Sequence, residues 1–151
     1  MSPNSLFVAE PPSIYANKPV IVVDASVVAA HSFIEPDAQT ARAWMRGYRL
    51  FAPALLAFEL TNVARQKVRR RMISAKAALA ALSDFADMQI ESLPVPPTEA
   101  FVLAHRYDLS GYDAAYLWLA SHLQAPLVTF DARLGAAALK HLAGEDPPQP
   151  G

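Results

Sequence analysis

The chain contains no cysteine. That excludes disulfides and cysteine-ligated zinc, and it suits a reducing compartment. Charge of either sign is not in excess: 13 Lys and Arg against 14 Asp and Glu leave a formal net charge of -1. No global basic field announces nucleic acid, so a polyanion would have to be held by a local patch. No apolar run approaches the roughly 18–20 residues of a membrane span. The first residues, MSPNSLFVAEPPSIYANK, have neither a basic start nor a continuous apolar segment. No secretory signal is therefore expected, and a cytoplasmic location is. Glycine is scarce, at five residues. None forms a glycine-rich turn after an apolar strand, which argues against a nucleotide-binding loop. The nucleophile elbow G-x-S-x-G is missing as well.

What is present is a foldable core. The 151 residues are 53% hydrophobic and 18% charged, which fits one globular domain and excludes a disordered chain. Val20, Ile21, Val22 and Val23 form an uninterrupted β-branched run that ends at Asp24. Such a run suits a strand buried on both faces of a parallel sheet.

Further strands are expected at 48–52, 89–95 and 126–130. Helices are expected at 26–32, with Ser26 as N-cap, and at 37–47, closed by Gly47. A long helix should open at Pro53, and others at Ser74, Thr98, Ser110 and after Asp131. Strands thus alternate with helices, mostly taken two at a time, which gives parallel strands and right-handed crossovers. The expected fold is a three-layer α/β/α sandwich around a central, mostly parallel sheet of four to five strands. Residues 1–18 read as an N-terminal arm, 19–143 as the domain and 144–151 as a mobile tail.

Four acidic residues stand out. Asp24 and Asp131 each follow an apolar strand, at the sheet edge where ligands of open α/β folds bind. Asp113 lies in the first turn of a helix. Glu59 shares an apolar helical stripe with Leu56, Leu60 and Val63, where an unpaired carboxylate is costly. Each also has a purely structural reading. Asp24 and Asp131 suit helix caps, Asp113 completes an S-x-x-D capping pattern with Ser110, and Glu59 can reach out from the stripe edge. Taken together they describe carboxylates meeting at one sheet edge. Their repulsion would raise pKa values and be relieved by a hard cation such as Mg²⁺ or Mn²⁺. A phosphatase with an aspartyl nucleophile would want a second Asp at position 26, which is Ser26. A receiver domain would want a close acidic pair after the first strand, and Asp24 stands alone.

The stretches VVDASVV, PALLAFELTNVARQ, LSGYDAAYLWLA and LVTFDARL, in that order, resemble the signature blocks of PIN-domain ribonucleases. The nearest subgroup is the VapC-type toxins of bacterial and archaeal toxin–antitoxin pairs. The resemblance implies a Mg²⁺- or Mn²⁺-dependent endoribonuclease whose catalytic and metal-binding set is Asp24, Glu59, Asp113 and Asp131, supported by Ser26 and Thr129. It further implies 5′-phosphate and 3′-hydroxyl products, a homodimer, and a small VapB-like antitoxin that plugs the site. Two features depart from the pattern: the arm before the first strand, and a tail where the family commonly adds an edge strand.

The run Arg65, Lys67, Arg69, Arg70 and Arg71 reads either as a solvated helix C-terminus or as a contact for RNA phosphates or an acidic antitoxin segment. Arg42, Arg46 and Arg49 would widen that patch. Trp44, Trp118, Tyr112 and Tyr116 read as core or dimer-interface residues, and the four histidines show no ligand-like spacing. A PIN nuclease of RNA processing without an antitoxin, and a non-catalytic PIN-like interaction module, are the alternatives.

Overall fold

Residues 4–9 and 19–144 are described by the computed structural model. The elements run β1 (Phe7–Ala9), β2 (Val20–Val23), α1 (Ala25–Ser32), α2 (Ala38–Met45), β3 (Arg49–Pro53), α3 (Leu56–Arg69), α4 (Ala75–Asp87), β4 (Glu91–Leu93), α5 (Pro97–Tyr107), α6 (Gly111–Leu123), β5 (Leu127–Thr129) and α7 (Ala132–Leu142). They build one five-stranded sheet in the order β1-β5-β2-β3-β4.

The two strands that read most apolar lie side by side. Val22 pairs with Leu127 and Val23 with Val128, in parallel. All four are fully buried. β3 flanks β2 and β4 flanks β3, both in parallel. β4 is a short edge strand, its Glu91 held by Arg49 of β3 at 2.8 Å. Charge on a short edge discourages pairing with another chain. α1 packs on α2, α3 and α4 on one face of the sheet, and α6 covers β2, β3 and β5 on the other, flanked by α5 and α7.

Three local expectations are corrected. Pro53 does not open the long helix; it ends β3, where a proline is tolerated, and α3 begins at Leu56. The N-cap of α1 is Asp24 rather than Ser26: its side chain accepts the Val27 N–H. The other edge strand is β1, which comes from the segment expected to be an arm. Its Phe7, Val8 and Ala9 pair antiparallel with Thr129, Val128 and Leu127.

β1 covers the sheet edge beside β5, and glycine makes that seat possible. A Cβ at Gly135 of α7 would fall well inside contact distance of the Phe7 ring and Cβ. The tail beyond residue 144 lies outside the described residues.

Candidate active site

Asp24 leaves β2 at its carboxyl end and is 5% exposed. Its Oδ1 accepts from the Ser26 hydroxyl at 2.6 Å and the Val27 N–H at 3.2 Å. Its Oδ2 accepts from the Thr129 hydroxyl at 2.6 Å. Both hydroxyls are oriented from behind. Ser26 Oγ accepts the Phe130 N–H at 3.0 Å, and Thr129 Oγ1 accepts the Asp131 N–H at 2.9 Å. Each proton is thereby turned toward the carboxylate. Burial still outweighs these three bonds and pushes the Asp24 pKa up to about 6, with the Asp113 charge adding a little.

Glu59 sits in the first turn of α3, half-buried at the edge of the apolar stripe of Leu56 and Leu60. Its Oε1 accepts from the Tyr116 hydroxyl at 2.8 Å. Burial raises its pKa, and the charges of Asp24 and Asp113 raise it further against that hydrogen bond. The sequence puts Tyr116 in the core or at an interface. It is core, at 1% exposure, but its hydroxyl belongs to the site. A signal was available: a tyrosine inside the otherwise apolar face of AAYLWLA needs a partner for its hydroxyl.

Asp113 is half-buried in the first turn of α6, where its N–H is capped by Ser110 Oγ at 3.0 Å. Burial raises its pKa first and the Asp131 charge second, opposed by Ser110 and Arg133. Asp131 is exposed and caps α7, its Oδ1 accepting from the Leu134 N–H at 2.8 Å. The capping roles of Asp24, Asp131 and the Ser110–Asp113 pattern are therefore real. Asp24, Glu59 and Asp113 act on one another electrostatically, and Asp131 joins through Asp113.

This donor set consists of oxygens only, with three carboxylates held above their ordinary pKa. That chemistry suits a hard divalent cation. Among the described residues, however, no three His, Asp or Glu side chains are already drawn together tightly enough to cage a metal ion. Mg²⁺ usually keeps several waters and takes only one or two protein carboxylates, so it does not require such a cage.

Other expected residues lie elsewhere. The basic run closes the far end of α3, ten residues or roughly 15 Å of helix from Glu59 to Arg69. Arg65, Arg69, Arg70 and Arg71 are exposed there. Lys67 is engaged, pairing with Glu35 at 2.9 Å and lying over the Phe33 ring. Arg42 donates to His31, and Arg49 is paired with Glu91, so neither is an idle cation. Trp118 stacks on His122 and donates to Glu99. A groove of about 720 Å³, lined by Leu55, Val95, Phe101, Tyr112 and neighbours, adjoins the first turn of α6, but none of the four carboxylates lines it.

The family model described as "PIN domain" matches residues 21–140. Ribonuclease VapC12 of Mycobacterium tuberculosis is 30% identical over 115 residues, spanning 76% of this chain and 89% of that protein. Ribonuclease VapC9 of the same organism is 35% identical over 115 residues, 76% of this chain and 88% of its own length. The crystal structure of PAE2754 from Pyrobaculum aerophilum shares the fold at a TM-score of 0.65, with 25% identity and 80% of each chain covered.

Proposed function

Since this chain belongs to the PIN-domain family, in its VapC-type branch, we propose that it is a Mg²⁺- or Mn²⁺-dependent endoribonuclease and the toxin of a toxin–antitoxin pair. What supports the reading is the raised pKa of Asp24, Glu59 and Asp113, to which the charges of neighbouring acids contribute after burial, together with the Tyr116 hydroxyl of α6 that reaches Glu59 of α3.

A divalent cation bound there supplies an activated water and neutralises charge on the phosphodiester. Asp24, Glu59, Asp113 and Asp131 are the residues that would hold it. Asp24 is the anchored member: two oriented hydroxyls and a helix N–H fix both of its oxygens. Glu59 and Asp113 come from helix first turns, so their backbones are rigid while their carboxylates reach the shared space. Asp131, exposed at the rim, meets solvent and substrate first. Hydrolysis adds the water oxygen to phosphorus, and the 3′ oxygen leaves and takes up a proton. The products are a 5′-phosphate and a 3′-hydroxyl.

An RNA backbone needs cations outside this acidic cleft, and the exposed arginines at the end of α3 supply them. An acidic antitoxin segment would be drawn to the same charges, and the VapC names of the relatives support such a partner. A homodimer has apolar surface available on α5 and α6, where Phe101 is 68% exposed and Val102 and Tyr112 are exposed beside it. Among the described residues no helix is long and apolar enough to cross a membrane. Such a substrate would be met in the cytoplasm, the location that goes with this proposal.

The test is cleavage of end-labelled RNAs by purified protein with Mg²⁺, with Mn²⁺ and with EDTA. Cleavage that needs the cation and vanishes in Asp24→Asn is the expected result. Undiminished cleavage in EDTA refutes metal dependence, and a protein inert with every cation and RNA tried points to a binding module instead. Co-purification with the product of an adjacent gene separates a toxin from an RNA-processing nuclease.

A further inference from the structure

Tyr116 is the largest side chain in the core with almost no exposure, and its hydroxyl opens onto the carboxylate cluster. It lies three residues after Asp113 on α6, so the two share a helix face. One turn of α6 thus delivers a carboxylate to the cluster and, beside it, a hydroxyl to a second carboxylate that arrives from α3. The partners are 57 positions apart in sequence.

We propose that Tyr116 is a positioning residue of the active site, its hydroxyl holding the Glu59 carboxylate in the orientation in which α3 presents it to Asp24 and Asp113. The assignment rests on the nuclease reading above.

Glu59 has one more rotatable bond than the three aspartates and is only partly buried. Freezing such a side chain costs rotamer entropy, which a hydrogen bond made before substrate arrives offsets in advance. The bond occupies Oε1, and a carboxylate has a second oxygen to offer. The donor is permanent at neutral pH, because a tyrosine hydroxyl ordinarily ionises only near about 10. A phenylalanine at 116 would keep the ring packing and release Glu59. Asp24 needs no such tie, because Ser26 and Thr129 already hold it, and neither hydroxyl reaches α3.

The experiment is Mn²⁺ binding by electron paramagnetic resonance on wild type, Tyr116→Phe, Glu59→Gln and the double variant, with RNA cleavage measured alongside. Tyr116→Phe is expected to weaken Mn²⁺ affinity about 10-fold, the scale of outer hydrogen-bond partners at metal sites. It should lower kcat to a similar degree at saturating Mn²⁺ while KM for RNA stays within about twofold. In the Glu59→Gln background the same change should add nothing further, because the tyrosine acts through Glu59.

Unchanged affinity and kcat in Tyr116→Phe overturn the assignment, as does an equal loss with and without Glu59. Wild type that neither binds Mn²⁺ nor cleaves RNA overturns the nuclease reading itself, and this inference with it. If Tyr116→Phe does not fold, the hydroxyl proton of Tyr116 is followed by NMR in the wild type. Its resonance should shift on Mg²⁺ addition, and an unmoved resonance in protein that binds Mg²⁺ overturns the assignment.

Discussion

Thr129 and Asp24 stand 105 positions apart in the chain, yet the Thr129 hydroxyl donates to Asp24 Oδ2 across 2.6 Å. The same hydroxyl accepts the Asp131 N–H. One buried oxygen therefore ties the end of β2 to the turn after β5 and sets the spacing of two of the four acids. Thr129→Val keeps the shape and removes both bonds, leaving a buried carboxylate oxygen and a backbone N–H without partners. A drop of about 2 kcal/mol in urea-unfolding stability is expected, together with slower RNA cleavage. Thr129→Ser restores both if the hydroxyl is what matters. Equal stability of the valine and wild-type proteins would remove Thr129 from the site's support.

Burial of Asp24 makes the metal-free protein pH-sensitive in a definite direction. Its folded pKa, about 6, lies above the ordinary 3.8, so the folded state binds the proton more tightly than the unfolded state. Stability from this group is greatest at low pH and falls as pH rises from about 4 to about 6; above that the cost stays constant. The full span corresponds to about 3 kcal/mol at 1.36 kcal/mol per pKa unit. Asp24→Asn should stay folded, lose cleavage and flatten this slope in EDTA. Calorimetry across pH 4 to 7.5 reads it; a slope that persists unchanged in the variant assigns the effect to another group. Absolute stability of the variant gains from removing a buried charge and suffers where the new amide meets hydroxyls already turned to donate, so the slope is the cleaner measure.

Gly135 seats the edge strand. Gly135→Ala drives a methyl into Phe7, and overpacking of this kind costs typically about 1–3 kcal/mol. Because Phe7 lies on a three-residue edge strand, the cheapest relief is release of β1 rather than movement of α7. Hydrogen exchange at Phe7 and Ala9, whose amides face β5, should accelerate well before that of β2. Pairing Gly135→Ala with Phe7→Gly relieves the clash, because the Phe7 Cβ is among the atoms the new methyl meets. Slow exchange of β1 in the single variant would mean that α7 yields instead.

The exposed arginines at the end of α3 predict a salt effect. Each phosphate neutralised by the protein contributes a slope of about -0.7 in log affinity against log salt for a single strand. Arg69→Ser with Arg70→Ser should flatten the slope by roughly that amount for each phosphate no longer neutralised, measured with catalytically dead Asp24→Asn. Lys67→Ser should change it less, since Lys67 is already paired with Glu35. Identical slopes in all three proteins would leave this end of α3 as an ordinary solvated surface.

Most of the element order was legible in the sequence because its causes are local. An apolar β-branched run makes β2, and Ser74 and Ser110 cap the helices that follow them through hydroxyls reaching three residues on. The ambiguities at Pro53 and Ser26 are also local. Pro53 suits a strand end as well as a helix start, and Asp24 and Ser26 are both good caps two positions apart.

The identities of the four acids could be proposed from strand ends, the apolar stripe and family-like spacing. Whether they share one space depends on the order β1-β5-β2-β3-β4, which no short window encodes. Three relationships belong to the tertiary structure alone: the Tyr116–Glu59 bond, the Thr129–Asp24 bond, and the recruitment of Phe7 to the edge beside Gly135. Each joins residues tens of positions apart, held together by packing of the whole sheet and its helices. Periodicity and capping act over three or four residues; they set which elements form, while burial of the shared core decides which side chains finally meet.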